Sequence, residues 1–181
     1  MLEKYALIKV VNGLLENEDI SLRELARKVN IGSSTAKMQL DYLLKNNIVD
    51  KKVIGRNHLF RLNINNFVVR QIKILNSLLV LKKSWIIEEI LEKYPSTLSI
   101  LLYGSVAKGL DDKESDIDLL IVTRKKEKLR TINAEKKLKR EVTYILYTFT
   151  EWKNKAKEEK IFYDNVMLNS INLYGEKPAV L

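Results

Sequence analysis

Asp116 and Asp118 stand one residue apart in "SDIDLLIV", at the head of an apolar run. In an extended strand successive side chains alternate faces, so both carboxylates point one way while Ile117 and Leu119 point the other. Paired carboxylates suit hard divalent cations. Mg²⁺ takes oxygen ligands and commonly uses one or two carboxylates together with phosphate oxygens. Two such ions activate a nucleophile and stabilise a leaving pyrophosphate. Upstream, "YGSVAKG" places Gly104 and Ser105 in a tight turn that opens a brief helix. Backbone N–H groups at such a turn can bind a phosphate; Ser105 adds a hydroxyl and Lys108 a charge. Taken singly, a Gly-Ser turn and an acidic loop are ordinary surface features. The joined pattern is harder to obtain by chance: G-S-x-A-x-G, five residues, S-D-x-D, then an apolar strand.

Gly104, Ser105, Ala107, Gly109, Ser115, Asp116 and Asp118 resemble the motif of minimal nucleotidyltransferases in the DNA polymerase β superfamily, over about residues 96–175. The resemblance implies a mixed αβ domain and Mg²⁺-dependent transfer of a nucleoside monophosphate from an NTP, ATP first among them. It implies that Gly104 and Ser105 hold the triphosphate, that Lys108 assists, and that Asp116 and Asp118 are the catalytic metal ligands. There is one departure. The family's third carboxylate, on a later strand, falls at Thr143 of "REVTYILYTF". Glu141, two residues earlier and on the same face, is the stand-in, displaced by about 6–7 Å along the strand. Two readings therefore stand. One is transfer to an unknown acceptor; some minimal nucleotidyltransferases adenylylate a partner toxin, so a protein acceptor is included. The other is a catalytically impaired domain in a DNA-binding regulator that senses nucleotide or mediates assembly.

Several elements must position this site. "LSILLYGS" reads as a buried strand ending near Tyr103. Asp111, Asp112 and Glu114 read as a solvated loop. Arg124–Arg140 has nine basic residues against Glu127 and Glu135 and reads as a solvated helix, or as a second phosphate-binding surface near the cleft. Thr150 is expected to cap a helix, with Glu151 near its N-terminus. "YDNVMLNSINLYGEK" reads as a last helix stopped by Gly175, with Phe162, Val166 and Leu173 in the core. Residues 67–95 form a helical connector with two apolar stripes, Val68, Ile72, Leu75 and Leu79, then Ile86, Ile90, Leu91 and Tyr94. A break is expected at Lys82–Trp85, with Ser84 capping the second helix and Trp85 under the sheet. The connector is expected to pack within the chain; a homodimer seam is the alternative.

Residues 1–66 carry helix, helix, turn, helix and hairpin patterns. Leu7, Val11, Leu14 and Leu15 share a face, as do Leu22, Leu25, Ala26 and Val29, and then Ala36, Leu40, Leu43 and Leu44. Ser21 and Glu24 suggest a capping box, and Ser33 or Ser34 a cap for the third helix. Two apolar runs flank "GRNH". The order resembles a winged helix-turn-helix domain. The resemblance implies double-stranded DNA as partner, with Ser33, Ser34, Thr35 and Lys37 toward the major groove. Lys51, Lys52, Arg56, His58 and Arg61 would lie on the phosphates. A winged helix used for protein contact is the alternative.

The fold class is thus α+β: a winged helix (1–66), a helical connector (67–95) and a nucleotidyltransferase-like domain (96–181). The net charge of +9 favours polyanionic partners. It is shared, at +4 over residues 1–66 and +5 over 67–181. With no Cys, a disulfide framework, a thiolate zinc site and a cysteine nucleophile are excluded. No apolar run approaches a membrane span, and the composition fits a reducing cytoplasm.

Overall fold

The computed structural model describes residues 5–128, 130, 132–138 and 140–180. The chain divides into two compact units, Met1–Gln71 and Ile72–Leu181.

In the first unit, α1 (Ala6–Leu15), α2 (Leu22–Lys28) and α3 (Ser33–Lys45) pack on a three-stranded antiparallel sheet of order β1-β3-β2. Its strands are β1 (Ile20–Ser21), β2 (Val49–Ile54) and β3 (Asn57–Leu62). Val10, Leu14, Leu25, Leu40, Leu43, Val49 and Phe60 form the core, from the faces that the helical and strand periodicities define. Ser21 caps α2, accepting from the Glu24 N–H at 3.3 Å. Gly32, rather than Ser33 or Ser34, is the cap residue of α3, and no side-chain oxygen caps that helix. The serines are already inside the first turn and are exposed.

The α4 helix (Phe67–Ser84) begins in the first unit and runs into the second. It ends where expected, at Ser84, but the cap residue of α5 (Ile86–Lys93) is Trp85 rather than Ser84; Ser84 Oγ, one residue further back, accepts from the Ile86 N–H at 3.3 Å. Trp85, at the break, adopts a left-handed φ of 65° and is exposed, so it does not lie under the sheet. Leu75 and Leu79 are exposed as well, so that stripe is not packed within the chain. The stripe on α5 is, with Ile86, Ile90 and Tyr94 fully buried.

The second unit is built on a four-stranded sheet of order β6-β5-β4-β7. β4 (Thr97–Tyr103) and β5 (Ile117–Thr123) are antiparallel; β5 is nearly wholly buried and β4 is buried through its middle. β6 (Val142–Thr148) lies parallel to β5 on one edge. β7 (Ile171–Gly175) lies antiparallel to β4 on the other. The expected last helix is therefore two elements: α8 (Lys160–Asn169), then β7. Ser170 is extended, and a Cβ on Gly175 (φ +66°) would meet the Leu98 carbonyl, so β7 closes against β4. The α7 helix (Phe149–Glu158) is capped by Thr148, not Thr150, in a reciprocal capping box with Glu151. The described residues of 124–140 form no α-helix. Their regular part is a 3₁₀ helix, Asn133–Lys137, and Ile132, Ala134 and Leu138 are buried. The apolar residues among the lysines anchor this crossover to the sheet. Because β5 and β6 are parallel, the crossover leaves from the far end of β5 and returns to the end that carries Asp116.

The two faces of the sheet bury different clusters. Ile100, Leu102, Ile117, Leu119 and Ile121 pack with Ile86, Ile90 and Tyr94. Leu101, Leu120 and Val122 pack with Trp152 and Val166. Phe162 packs against this second cluster and Leu173 against the first, both partly buried, while Val166 is in the core itself. No described helix is long and apolar enough to cross a membrane.

Candidate functional site

The β5 strand alternates as its sequence requires. Ile117 and Leu119 are buried, Asp118 is half-buried on the opposite face, and Asp116 is exposed just before the strand. Asp118 therefore sits at the open end of the face that holds Leu120, Val122 and Trp152. Tyr103 is its partner on β4 and Thr143 its partner on β6.

Gly104 follows Tyr103 and opens α6 (Gly104–Lys108), with φ +74°. Two constraints select glycine here. The backbone is left-handed, and a Cβ would run into Asp118 Oδ2. The turn thus lies directly against the carboxylate, which joins the two halves of the motif in space. The Ser105 hydroxyl has no hydrogen-bond partner among the described residues, and α6 ends at Gly109 in the left-handed region. Lys108 is committed elsewhere: its Nζ donates to Asn165 Oδ1 on α8 at 3.2 Å.

Burial, and then the charge of Asp116, push the Asp118 carboxyl above its ordinary range. Tyr103 is pushed up to about 12 by burial, then by Asp118 and Tyr147. Among the described residues no cation is ion-paired with Asp116 or Asp118. Two carboxylates one residue apart, with no paired cation among the described residues, form a donor set that a divalent cation fits.

Thr143 is level with Asp118, and the same register places Glu141 level with Asp116. The Glu141 carbonyl accepts from the Ile117 N–H at 2.9 Å, so its backbone belongs to the ladder. Among the described residues no three acidic or histidine side chains converge on one metal position.

The loop before Asp116 is not simply solvated. Asp112 and Glu114 are exposed, but Asp111 is buried at 8% exposure. Its carboxylate is paired with Lys73 at 3.4 Å and Arg140 at 2.9 Å. Asp112 Oδ1 accepts from the N–H groups of Glu114 and Ser115 and from Ser115 Oγ. The Ser115 hydroxyl, then backbone N–H groups, hold the Asp112 carboxyl below its usual range. A separate cavity of about 320 Å³ lies between α5 and the 3₁₀ helix, lined by Trp85, Glu88, Glu89, Glu92 and Lys137 among others. None of the motif residues touches it.

In the first unit, Ser33, Ser34 and Lys37 are exposed on α3 and Thr35 is partly so. Lys51, Lys52, Arg56, His58 and Arg61 are all exposed on the β2–β3 hairpin, but they do not share a face. Lys51 and His58 fall on the side of Phe60, Lys52 and Arg61 on the other, and Arg56 in the two-residue turn. The outer face of α3 also carries Met38 and Tyr42, at 62% and 56% exposure. A reading that sought charge on this helix passes over these two, although their i, i+4 spacing places them together.

No curated protein matches the chain. Residues 83–167 match the family model described as nucleotidyltransferase domain, which takes in α5, the Gly104 turn, both aspartates, β6, α7 and most of α8, so this region of the chain carries a nucleotidyl-transfer fold.

Proposed function

We propose that the second unit is a nucleotidyltransferase that uses an NTP, ATP first, and Mg²⁺. The observation that carries this reading is the packing of Gly104 against Asp118 inside the matched region. Here the N–H groups of the Gly104–Ser105 turn and the Ser105 hydroxyl bind the β- and γ-phosphates. Asp116 and Asp118 supply carboxylate oxygens to the divalent cation. When bound, that cation would offset phosphate charge and favour ionisation of the attacking hydroxyl. An acceptor oxygen bonds to the α-phosphorus, the bond to the β-phosphate oxygen breaks, and pyrophosphate leaves. The acceptor's proton goes to a base. Thr143 cannot take it as a carboxylate would, and Glu141, level with Asp116, is the nearest acid in the ladder. The acceptor is a hydroxyl of a small molecule, a nucleic-acid end or a partner protein.

A second reading rests on Thr143. A site with two carboxylates and no third would bind nucleotide without turning it over, as the sensing half of a DNA-binding regulator. Titration calorimetry with ATP and Mg²⁺ on the wild type and Asp116→Asn/Asp118→Asn tests what both readings share. Binding by the wild type that the double variant loses is expected; no binding by the wild type overturns both. Label transfer from α-³²P-ATP to a component of a cell lysate then separates them.

For the first unit the proposal is a winged helix on duplex DNA, with α3 in the major groove and the hairpin on phosphates. Its support is the order of elements and the exposure of the eight candidate polar and basic side chains besides Thr35. Affinity for duplex DNA that stays constant as salt rises would count against phosphate contacts.

A further inference from the structure

We infer that Arg140 is a positioning residue for the Asp116–Asp118 pair, with Asp111 as its buried anchor; this rests on the reading of those carboxylates given above. Arg140 lies two residues before β6, at the end of the crossover that the parallel sheet returns to the carboxylates. Its guanidinium is used on two sides. Nε donates to the Ser115 carbonyl at 2.7 Å, and one terminal nitrogen donates to the same oxygen. The other terminal nitrogen donates to Asp111 Oδ2 at 2.9 Å. Ser115 is the residue immediately before Asp116. The fork therefore holds the peptide that carries the first carboxylate.

The anchor is fixed in turn. Asp111 is 8% exposed, and Lys73 on α4 donates to its backbone carbonyl and pairs with its carboxylate. Removing an ionised carboxylate from water is costly unless it is paired, so Asp111 has a defined place. Asp112 and Ser115 tie the residues between the two ends of the loop. On the far side, the Ile117 N–H donates to the Glu141 carbonyl, one residue beyond Arg140. Asp116 is thus bracketed by Arg140 on Ser115 and by Glu141 on Ile117. Lysine would keep the charge and lose the fork, since only a guanidinium presents paired donors in one plane.

The test uses the full chain with three variants, Arg140→Met, Arg140→Lys and Asp111→Asn, and two readouts. Mn²⁺ binding is followed by its electron paramagnetic resonance signal, and amide hydrogen exchange is followed at residues 112–117 and, separately, at Leu119–Val122. Loss of a residue that orients a metal ligand typically weakens binding about 10–100-fold, and Arg140→Met is expected in that range, with Arg140→Lys between it and the wild type. The Ile117 amide should accelerate in Arg140→Met at least about tenfold more than the Leu119–Val122 amides do. Asp111→Asn keeps the side-chain shape and should reproduce the local effect if Arg140→Met fails to fold. Unchanged Mn²⁺ affinity together with unchanged Ile117 exchange overturns the inference. Uniform acceleration across β5 also overturns it, because that marks a general loss of stability. If wild-type protein binds no Mn²⁺, the reading of Asp116 and Asp118 fails, and the exchange pattern alone still decides whether Arg140 holds their loop.

Discussion

Asp111 and Asp118 are seven residues apart, and the chain treats them in opposite ways. Asp111 is the more buried and meets two cations, Lys73 and Arg140. Asp118 is half-buried, meets another carboxylate instead, and its pKa is raised by burial and by that neighbour. Glu89 belongs with Asp111: burial opposes its charge, but hydrogen bonds from Lys93 and from the Asn133 and Ala134 N–H groups hold it at about 2. The difference separates acids tied in by cations from acids with no paired cation among the described residues, which the proposed function assigns to a ligand. A paired acid adds stability when ionised. An unpaired one placed beside a like charge costs stability until something binds.

The sharpest way to break that comparison is to remove each kind of acid and read both properties. Asp116→Asn/Asp118→Asn should lower Mn²⁺ or Mg²⁺-ATP affinity by at least about 100-fold, the loss of charged ligands being worth several kcal/mol. Its melting temperature at pH 7 should hold or rise. The sign follows from Asp118: its folded pKa lies above the unfolded one, so its ionisation costs stability as pH rises through that interval, and Asn escapes the cost. Asp111→Ala should do the reverse, lowering stability by about 3 kcal/mol in urea unfolding, because it leaves Arg140 and Lys73 without their partner. If the double variant melts far below wild type, the division fails.

A smaller effect sharpens the comparison at the third position. Thr143→Asp places a carboxylate level with Asp118 and should raise Mn²⁺ affinity about tenfold, at a stability cost of up to about 1 kcal/mol from like charges directly opposite. Label transfer that appears or increases in this variant would identify Thr143 as the residue limiting catalysis. The smallest effect concerns Glu89. Its stabilisation is fully present above its ordinary value of 4.5 and is lost as pH falls from there toward about 2. Glu89→Gln should reduce stability at pH 7 by about 1 kcal/mol, and its acid unfolding curve should be flatter than wild type over that interval.

The motif at Gly104, Asp116 and Asp118 could be read from the chain because each part is local: a turn, a two-residue alternation and an apolar strand. That Thr143 stands on a strand could be read because "REVTYILYTF" is a run of strand formers; that it lies level with Asp118 comes from the pairing of β6 with β5. The role of Asp111 could not, since its partners lie 38 residues before it and 29 residues after it in the chain. β7 was hidden by its brevity. "INLYG" has apolar residues at both helical and strand spacings, and only the closure of Gly175 on Leu98 decides between them. In Arg124–Arg140 the charges drew attention from Ile132 and Leu138, the residues that face the core. Trp85 illustrates the opposite error, a large aromatic expected inside that the left-handed break turns to the surface.

That break leaves the protein with two indoles in contrasting surroundings. Trp152 is wholly enclosed, with Nε1 donating to the Pro178 carbonyl at 2.8 Å and Tyr163 5.1 Å away. Trp85 is 59% exposed beneath a lysine ammonium. Iodide in solution will quench the emission of the second and spare that of the first. The chain therefore carries its own pair of optical reporters, one for the α5 break and one for the core beneath the two aspartates, with no label required.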